Sequence, residues 1–161
     1  MQIIDIHMGI RGALDDALAR AIAIGALVTI ALIHVLQLPA AFAEIGYLGG
    51  LFIAAVAACL ILAAVMTRTS DDLASAAAGG LAGAVLLGYV LSRSVGLPGF
   101  TDDVGEWSEA PGLASMVVES LLVFVTGAVL VTRRHPMGSA AAATDAAAPS
   151  GAAMRPGPAV G

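Results

Sequence analysis

The chain contains no lysine; its whole basic complement is seven arginines among 161 residues. Charged residues make up 12% of it, about half the quarter usual in soluble domains. Aromatics are scarce at 4%, with a single tryptophan, and the formal charge is −5. A nucleic-acid partner needs a basic surface, which these residues cannot build. One cysteine, Cys59, excludes an internal disulfide. Set in an apolar run, it reads as a small buried or lipid-facing residue. No H-E-x-x-H, G-x-S-x-G or phosphate-binding loop occurs, and "GGLAG" at 79–83 lies in an apolar run, where glycine means helix contact. The sequence therefore offers no catalytic residue and no cofactor site.

What is abundant is apolar surface. Hydrophobic residues are 59% of the chain, and the mean hydropathy is +0.94. A bilayer core of ~30 Å takes about 20 apolar residues of helix. Four stretches qualify: 17–37, 45–66, 73–92 and 113–132. Pro39, Pro98 and Pro111 fall in the breaks between them, as proline should. Period-two alternation is absent, which argues against a barrel. The expected fold is all-α: a four-helix transmembrane bundle over 17–135, after an N-terminal segment 1–16. Ile10, Leu14 and Leu18 could give that segment a short amphipathic lead-in helix. Residues 136–161 are low-complexity and lack periodic apolar residues, so they are expected to form a disordered tail.

Small residues recur every fourth position: Ala17, Ala21, Gly25 and Thr29; Gly46, Gly50, Ala54 and Ala58; Ala76, Gly80, Ala84, Gly88 and Ser92. Positions four apart share a helix face, and small ones let backbones approach closely in lipid. These stripes predict the packing faces of a compact bundle.

Arginine sets a direction. Arg11, Arg20, Arg68, Arg133 and Arg134 fall on one side of a four-span chain, and Arg93 alone on the other. The positive-inside rule then predicts cytoplasmic termini, in a bacterial cytoplasmic membrane. The turn "LPAAFAE" and the loop "GLPGFTDDVGEWSEAPG" would face outward. A competing reading takes the first span as a signal peptide cut after Ala43. Its apolar run is too long for that, and Asp5, Asp15 and Asp16 spoil the positive flank.

Ionisable residues inside the spans are costly and are the default functional candidates. Glu119 stands about six residues inside the fourth span, hence ~9 Å deep. Ser115, Glu119, Leu122 and Thr126 share a helical stripe expected to face the bundle. His34 nears the outer end of the first span, Glu44 opens the second, and Arg93 closes the third. One outer layer thus gathers all four. His34, Glu44 and Glu119 suit a divalent cation or a proton-exchanging site, and Asp102, Asp103, Glu106 and Glu109 would concentrate cations above it. The plainer alternative is structural, with Arg93 neutralising Glu119 and His34 bonded to a carboxylate or the backbone. The loop itself predicts a shape. Pro98 fixes φ and Gly99 suits the third position of a type II turn. Leu97, Phe100 and Trp107 are apolar anchors, and Ser108 and Glu109 suit the start of the fourth helix.

Two segments, "HVLQLPAAFAEIGYLG" from His34 and "GYVLSRSVGLPGFTDD" from Gly88, together with Trp107 and Glu109, carry a resemblance. They resemble a group of small four-span membrane proteins of high-GC bacteria that has no established activity. The resemblance implies four spans and transfers no functional residue. In that group the turn after the proline often carries further acids and a second histidine. Here Ala40, Ala41 and Ala43 stand there, which weakens a metal site. The leading expectation is a non-enzymatic accessory or structural membrane component, working through the lipid bilayer, a homo-oligomer or other membrane proteins. The alternative is a small cation- or proton-linked transporter or sensor using Glu119, His34 and Glu44.

Overall fold

The computed structural model describes the backbone of residues 2–134 and the side chains of 12–134. The expected tail, 136–161, lies outside the described residues. Four helices follow in order: α1 (Gln2–Glu44), α2 (Gly46–Arg68), α3 (Asp72–Ser94) and α4 (Ala110–Arg134). Each contains a stretch long and apolar enough to cross a membrane, and no strand occurs among the described residues. This is the build of a multi-pass membrane protein. The lead-in to the first span is no separate element, since α1 runs through it unbroken.

Two expectations are corrected by the backbone. Pro39 does not end the first helix; α1 continues to Glu44 with Pro39 inside it. The ring costs the Val35 carbonyl its partner, yet it lies on an exposed face, and the alanines at 40, 41 and 43 are good helix formers. The first connection is therefore one residue, Ile45, in extended conformation (φ −157°, ψ 131°). Pro111 likewise falls within the first turn of α4, where a missing N–H leaves no bond unmade.

The helices form a ring in chain order. α1 packs closely on α2 and on α4, α3 packs closely on α4, and α2 meets α3 most sparsely. The main cluster of buried apolar residues runs from the middle of the bundle toward the end that carries Arg20 and Arg133. There Leu27, Cys59, Ala78 and Leu122, one from each helix, are wholly buried, with Ala23, Ala63, Ala74 and Ala82 around them. Alanine lets the backbones close up, which counts for more in lipid than the hydrophobic effect does. At that end Arg133 ties three segments together. It donates to the Ser70 carbonyl at 2.7 Å and to Asp72 at 2.8 Å, and lies 3.5 Å from Asp16. Asp71 caps α3 by accepting from the Leu73 N–H.

For most of their length the small-residue stripes are not the packing faces, although Ala58 and Gly88 are half-buried and Ser92 is buried. Ala17, Ala21, Gly25 and Thr29 are exposed along α1, as are Gly46, Gly50 and Ala54 on α2 and Ala76, Gly80 and Ala84 on α3. The buried alanines occupy neighbouring positions instead. In a chain so rich in alanine and glycine, small size does not mark one face; the larger Leu27, Ile30 and Leu122 mark the inner faces of α1 and α4.

Candidate functional site

Toward the loop end the ring opens, and a cavity of about 480 Å³ lies among all four helices. His34, Glu44, Arg93 and Glu119 all line it. The sequence-predicted layer is thus brought together around a space, not around a contact.

Glu119 is at the buried side of that space. Ser115, Glu119, Leu122 and Thr126 are all buried, so the predicted stripe does face inward. Glu119 is 1% exposed. Its Oε1 accepts from the Ser115 hydroxyl, one helical turn earlier, at 2.5 Å. Its Oε2 is buried with no hydrogen-bond partner among the described residues. A carboxyl oxygen left so costs about 1–3 kcal/mol or more.

His34 is also buried, at 5% exposure. Its Nδ1 lies 2.9 Å from the Ile30 carbonyl, one turn back. An N–H donated there leaves Nε2 as the acceptor in the neutral ring. The imidazole meets Phe52 edge-on, with 4.8 Å between ring centres.

The expected Arg93–Glu119 pair does not form. Arg93 is turned to the loop instead: Nη1 lies 2.6 Å from Asp103, and Nη2 bonds Glu109, just before α4. The Arg93 carbonyl accepts from the Gly105 N–H at 2.9 Å. Three contacts therefore hold the loop to the end of α3. The guanidinium also stands 5.3 Å from the centre of the Tyr89 ring, and Trp107 meets that ring edge-on. Near the end of its helix, Arg93 reaches polar partners outside the apolar zone at less desolvation cost than by turning inward. Its Nε and the Tyr89 hydroxyl are buried and unpartnered among the described residues. Tyr89 is a member of the site that the sequence reading misses; the Tyr89-x-x-x-Arg93 spacing, one turn apart, is the signal for it.

The loop has the predicted shape. Leu97 and Phe100 exchange both backbone hydrogen bonds, at 2.7 and 2.9 Å, around Pro98 and Gly99. Gly99 has φ +74°, as the third position of a type II turn requires. The Tyr47 hydroxyl, at the start of α2, donates to the Pro98 carbonyl at 2.9 Å. Phe100 is buried, whereas Trp107 is 44% exposed.

His34, Glu44 and Glu119 do not assemble into a metal centre: no group of three His, Cys, Asp or Glu side chains suited to a metal ion occurs among the described residues. Each stands on its own turn of α1 or α4, and Ser115 is Glu119's neighbour. Compared with known proteins, the chain matches no protein family, no curated protein and no solved structure.

Proposed function

We propose that this chain is a small ligand-binding membrane protein, a transporter or sensor in which Glu119 exchanges a proton for a cation. It performs no chemistry of its own. The observation that carries this reading is Glu119, which lines a 480 Å³ cavity and whose Oε2 is buried and unpartnered among the described residues. A structural carboxylate would be expected to find a second partner, as buried polar groups nearly always do. His34 and Glu44 share the wall and the rim with it. The protein belongs, on this reading, in a bacterial cytoplasmic membrane with both ends in the cytoplasm and the cavity toward the outside.

A hydrophobic carbodiimide tests it, since such reagents couple to protonated carboxyls that they can reach from an apolar phase. In nanodiscs, Glu119 should be labelled, as read by peptide mass spectrometry. A Glu119 that stays unlabelled while the exposed acids react would sink the open-cavity reading.

The exposed stripe of Ala17, Ala21 and Gly25 favours a second role, as a subunit that meets another membrane helix through α1. A β-carbon added at Gly25 would touch nothing within 4 Å in the single chain. Gly25→Leu should then leave the isolated protein stable and remove its co-purifying partner from native membrane. A partner retained by the variant would exclude that face.

A further inference from the structure

The identity of the cation can be narrowed from the walls of the cavity, an inference that rests on the ligand-binding reading above. We infer that the cavity takes a lipophilic organic cation, an amine with an apolar body, whose ammonium pairs with the Glu119 carboxylate and which reaches the site from the bilayer between α2 and α3.

Three observations converge. The first is the donor set. A bare divalent ion needs six or more oxygens, or a cluster of His, Cys and acids, to replace its water. The described residues present no such group, and Glu119 offers one free oxygen. One acceptor suits one N–H. The imidazole of His34, with Nδ1 committed to Ile30, adds an acceptor nitrogen to the same wall and no fixed positive charge.

The second observation is the lining. Much of the wall is apolar, with Leu51, Ala54, Ala58, Leu81, Ala84 and Val85 all lining it. This part of the wall matches hydrocarbon or aromatic rings, while Gln37, Ser92 and Ser115 add polar groups to the remainder. A volume of about 480 Å³ falls within the 300–1,000 Å³ of sites for drug-sized molecules. The charge at the rim favours a cation. Arg93 is the one arginine lining the cavity, and Asp103 and Glu109 already hold it, with Glu44 beside them. An anion would meet this acid surplus and the Glu119 carboxyl together.

The third is the opening. Ala54 on α2 and Ala84 on α3 both line the cavity and are both exposed. They belong to the small-residue stripes that fail to pack, and they flank the sparsest seam of the ring. A β-carbon added at Gly50 or Gly80, beside them, would meet nothing within 4 Å. The seam therefore opens sideways along the apolar part of the bundle, where the neutral form of a lipophilic amine dissolves more readily than its charged form. Arg93, Asp103, Glu109 and the loop stand over the top.

The test uses the single tryptophan. Trp107 packs on Tyr89, which lines the cavity, so its emission reports on an acceptor bound there. Wild-type protein in nanodiscs is titrated with 1-pyrenemethylamine and with its neutral counterpart 1-pyrenemethanol. The amine should quench Trp107 saturably and protect Glu119 from carbodiimide, at least ten times more tightly than the alcohol. Glu119→Gln, which keeps a partner for Ser115, should bring amine and alcohol to the same affinity. Equal binding of the two by the wild type would overturn the proposal without recourse to any variant. So would an amine preference that survives Glu119→Gln. Protection of Glu119 by zinc, magnesium or calcium, with none by the amine, would refute the organic cation and leave the proton-exchanging site standing. Glu119 unlabelled in the absence of any ligand would remove both.

Discussion

Arg93 lies 2.6 Å from Asp103, across the loop that joins α3 to α4, and its second nitrogen bonds Glu109 at the foot of α4. The one cation of this layer is thereby spent on the loop, and the buried acid Glu119 is left to Ser115. That division decides what each residue should do when changed. Arg93 is 6% exposed, so Arg93→Ala strands two acids and removes the stacking on Tyr89. We expect a loss of about 1.5–3 kcal/mol in detergent stability, the range for hydrogen bonds to charged groups. Glu109 is half exposed, so Glu109→Gln should cost less than Asp103→Asn, and added salt should shrink the Glu109 effect first. Thermal midpoints at two ionic strengths measure both.

Glu119 is expected to behave in the opposite sense. Glu119→Leu removes an unsatisfied buried oxygen, recovering part of its desolvation cost of about 1–3 kcal/mol. The freed Ser115 hydroxyl can return to its own helix backbone. Glu119→Leu should therefore hold or raise the melting midpoint, while Arg93→Ala lowers it. The double variant should be additive within about 0.5 kcal/mol, as for sites that share no partner. Strong coupling in the cycle would mean that the two residues form the ion pair that the structure lacks.

Glycines separate the packed wall from the open one. A β-carbon at Gly112 would come within 2.5 Å of the Tyr89 ring, and so Gly112→Ala must displace Tyr89 from Arg93. Gly80, on the exposed stripe, has nothing within 4 Å of that position. Alanine there should help the helix by up to about 1 kcal/mol. Unfolding of the two variants in a denaturing detergent should move their midpoints apart; matched losses would mean that α3 turns its stripe inward.

Much of this arrangement is legible in the sequence, and the rest is hidden for identifiable reasons. Length and apolarity alone mark four helices, because a bilayer demands both. Helical spacing puts Glu119 on the inner face with Ser115, Leu122 and Thr126. The Pro98-Gly99 turn is equally readable, since few residues suit its angles. The partner of Arg93 is not. Chain order alone does not choose between Glu119 and the loop acids Asp103 and Glu109, and the choice depends on desolvation and on how the loop folds back. The cavity is hidden as well. Alanine and glycine look alike whether they face a helix, a lipid or a space, so Ala54 and Ala84 carry no mark of the seam that they line. Pro39 misleads because its effect depends on which side of the helix it falls.

The direction of the chain can be checked independently. Arg133 gathers Asp16, Ser70 and Asp72 at one end of the bundle, so the α2–α3 turn and the end of α4 share a side. Arg20, Arg68, Arg133 and Arg134 belong to that end, and the positive-inside rule assigns it to the cytoplasm. Reporter fusions after Ser70 and Arg134 should give cytoplasmic signals, and fusions at Asp102 extracytoplasmic ones. An N-terminal tag should persist on the full-length species, since Ala43 lies in the last turn of α1 and not in an extended site for cleavage. A cytoplasmic signal from Asp102 would invert the assignment.

The loop between α3 and α4 tests whether shape or charge matters at the rim. Asp102 makes no side-chain hydrogen bond or ion pair among the described residues, so Asp102→Asn should stay within about 0.5 kcal/mol of wild type, as surface changes do. Asp103→Asn breaks a contact to Arg93 and should cost more. Gly99 holds φ +74°, and a side chain in that left-handed region costs about 1–2 kcal/mol. Gly99→Val should thus destabilise by about that much, although it touches no charge. Tyr47→Phe deletes the bond to the Pro98 carbonyl and should cost about 0.5–1.5 kcal/mol. Rearranging residues 96–109 at constant composition combines these losses, because the turn, the Phe100 anchor and both Arg93 partners move together. It should lower the thermal midpoint further than neutralising Asp102 and Asp103 together. The reverse ranking would show that the acids act by their charge alone, as attractors of cations, and that the Leu97–Phe100 turn is only a connection.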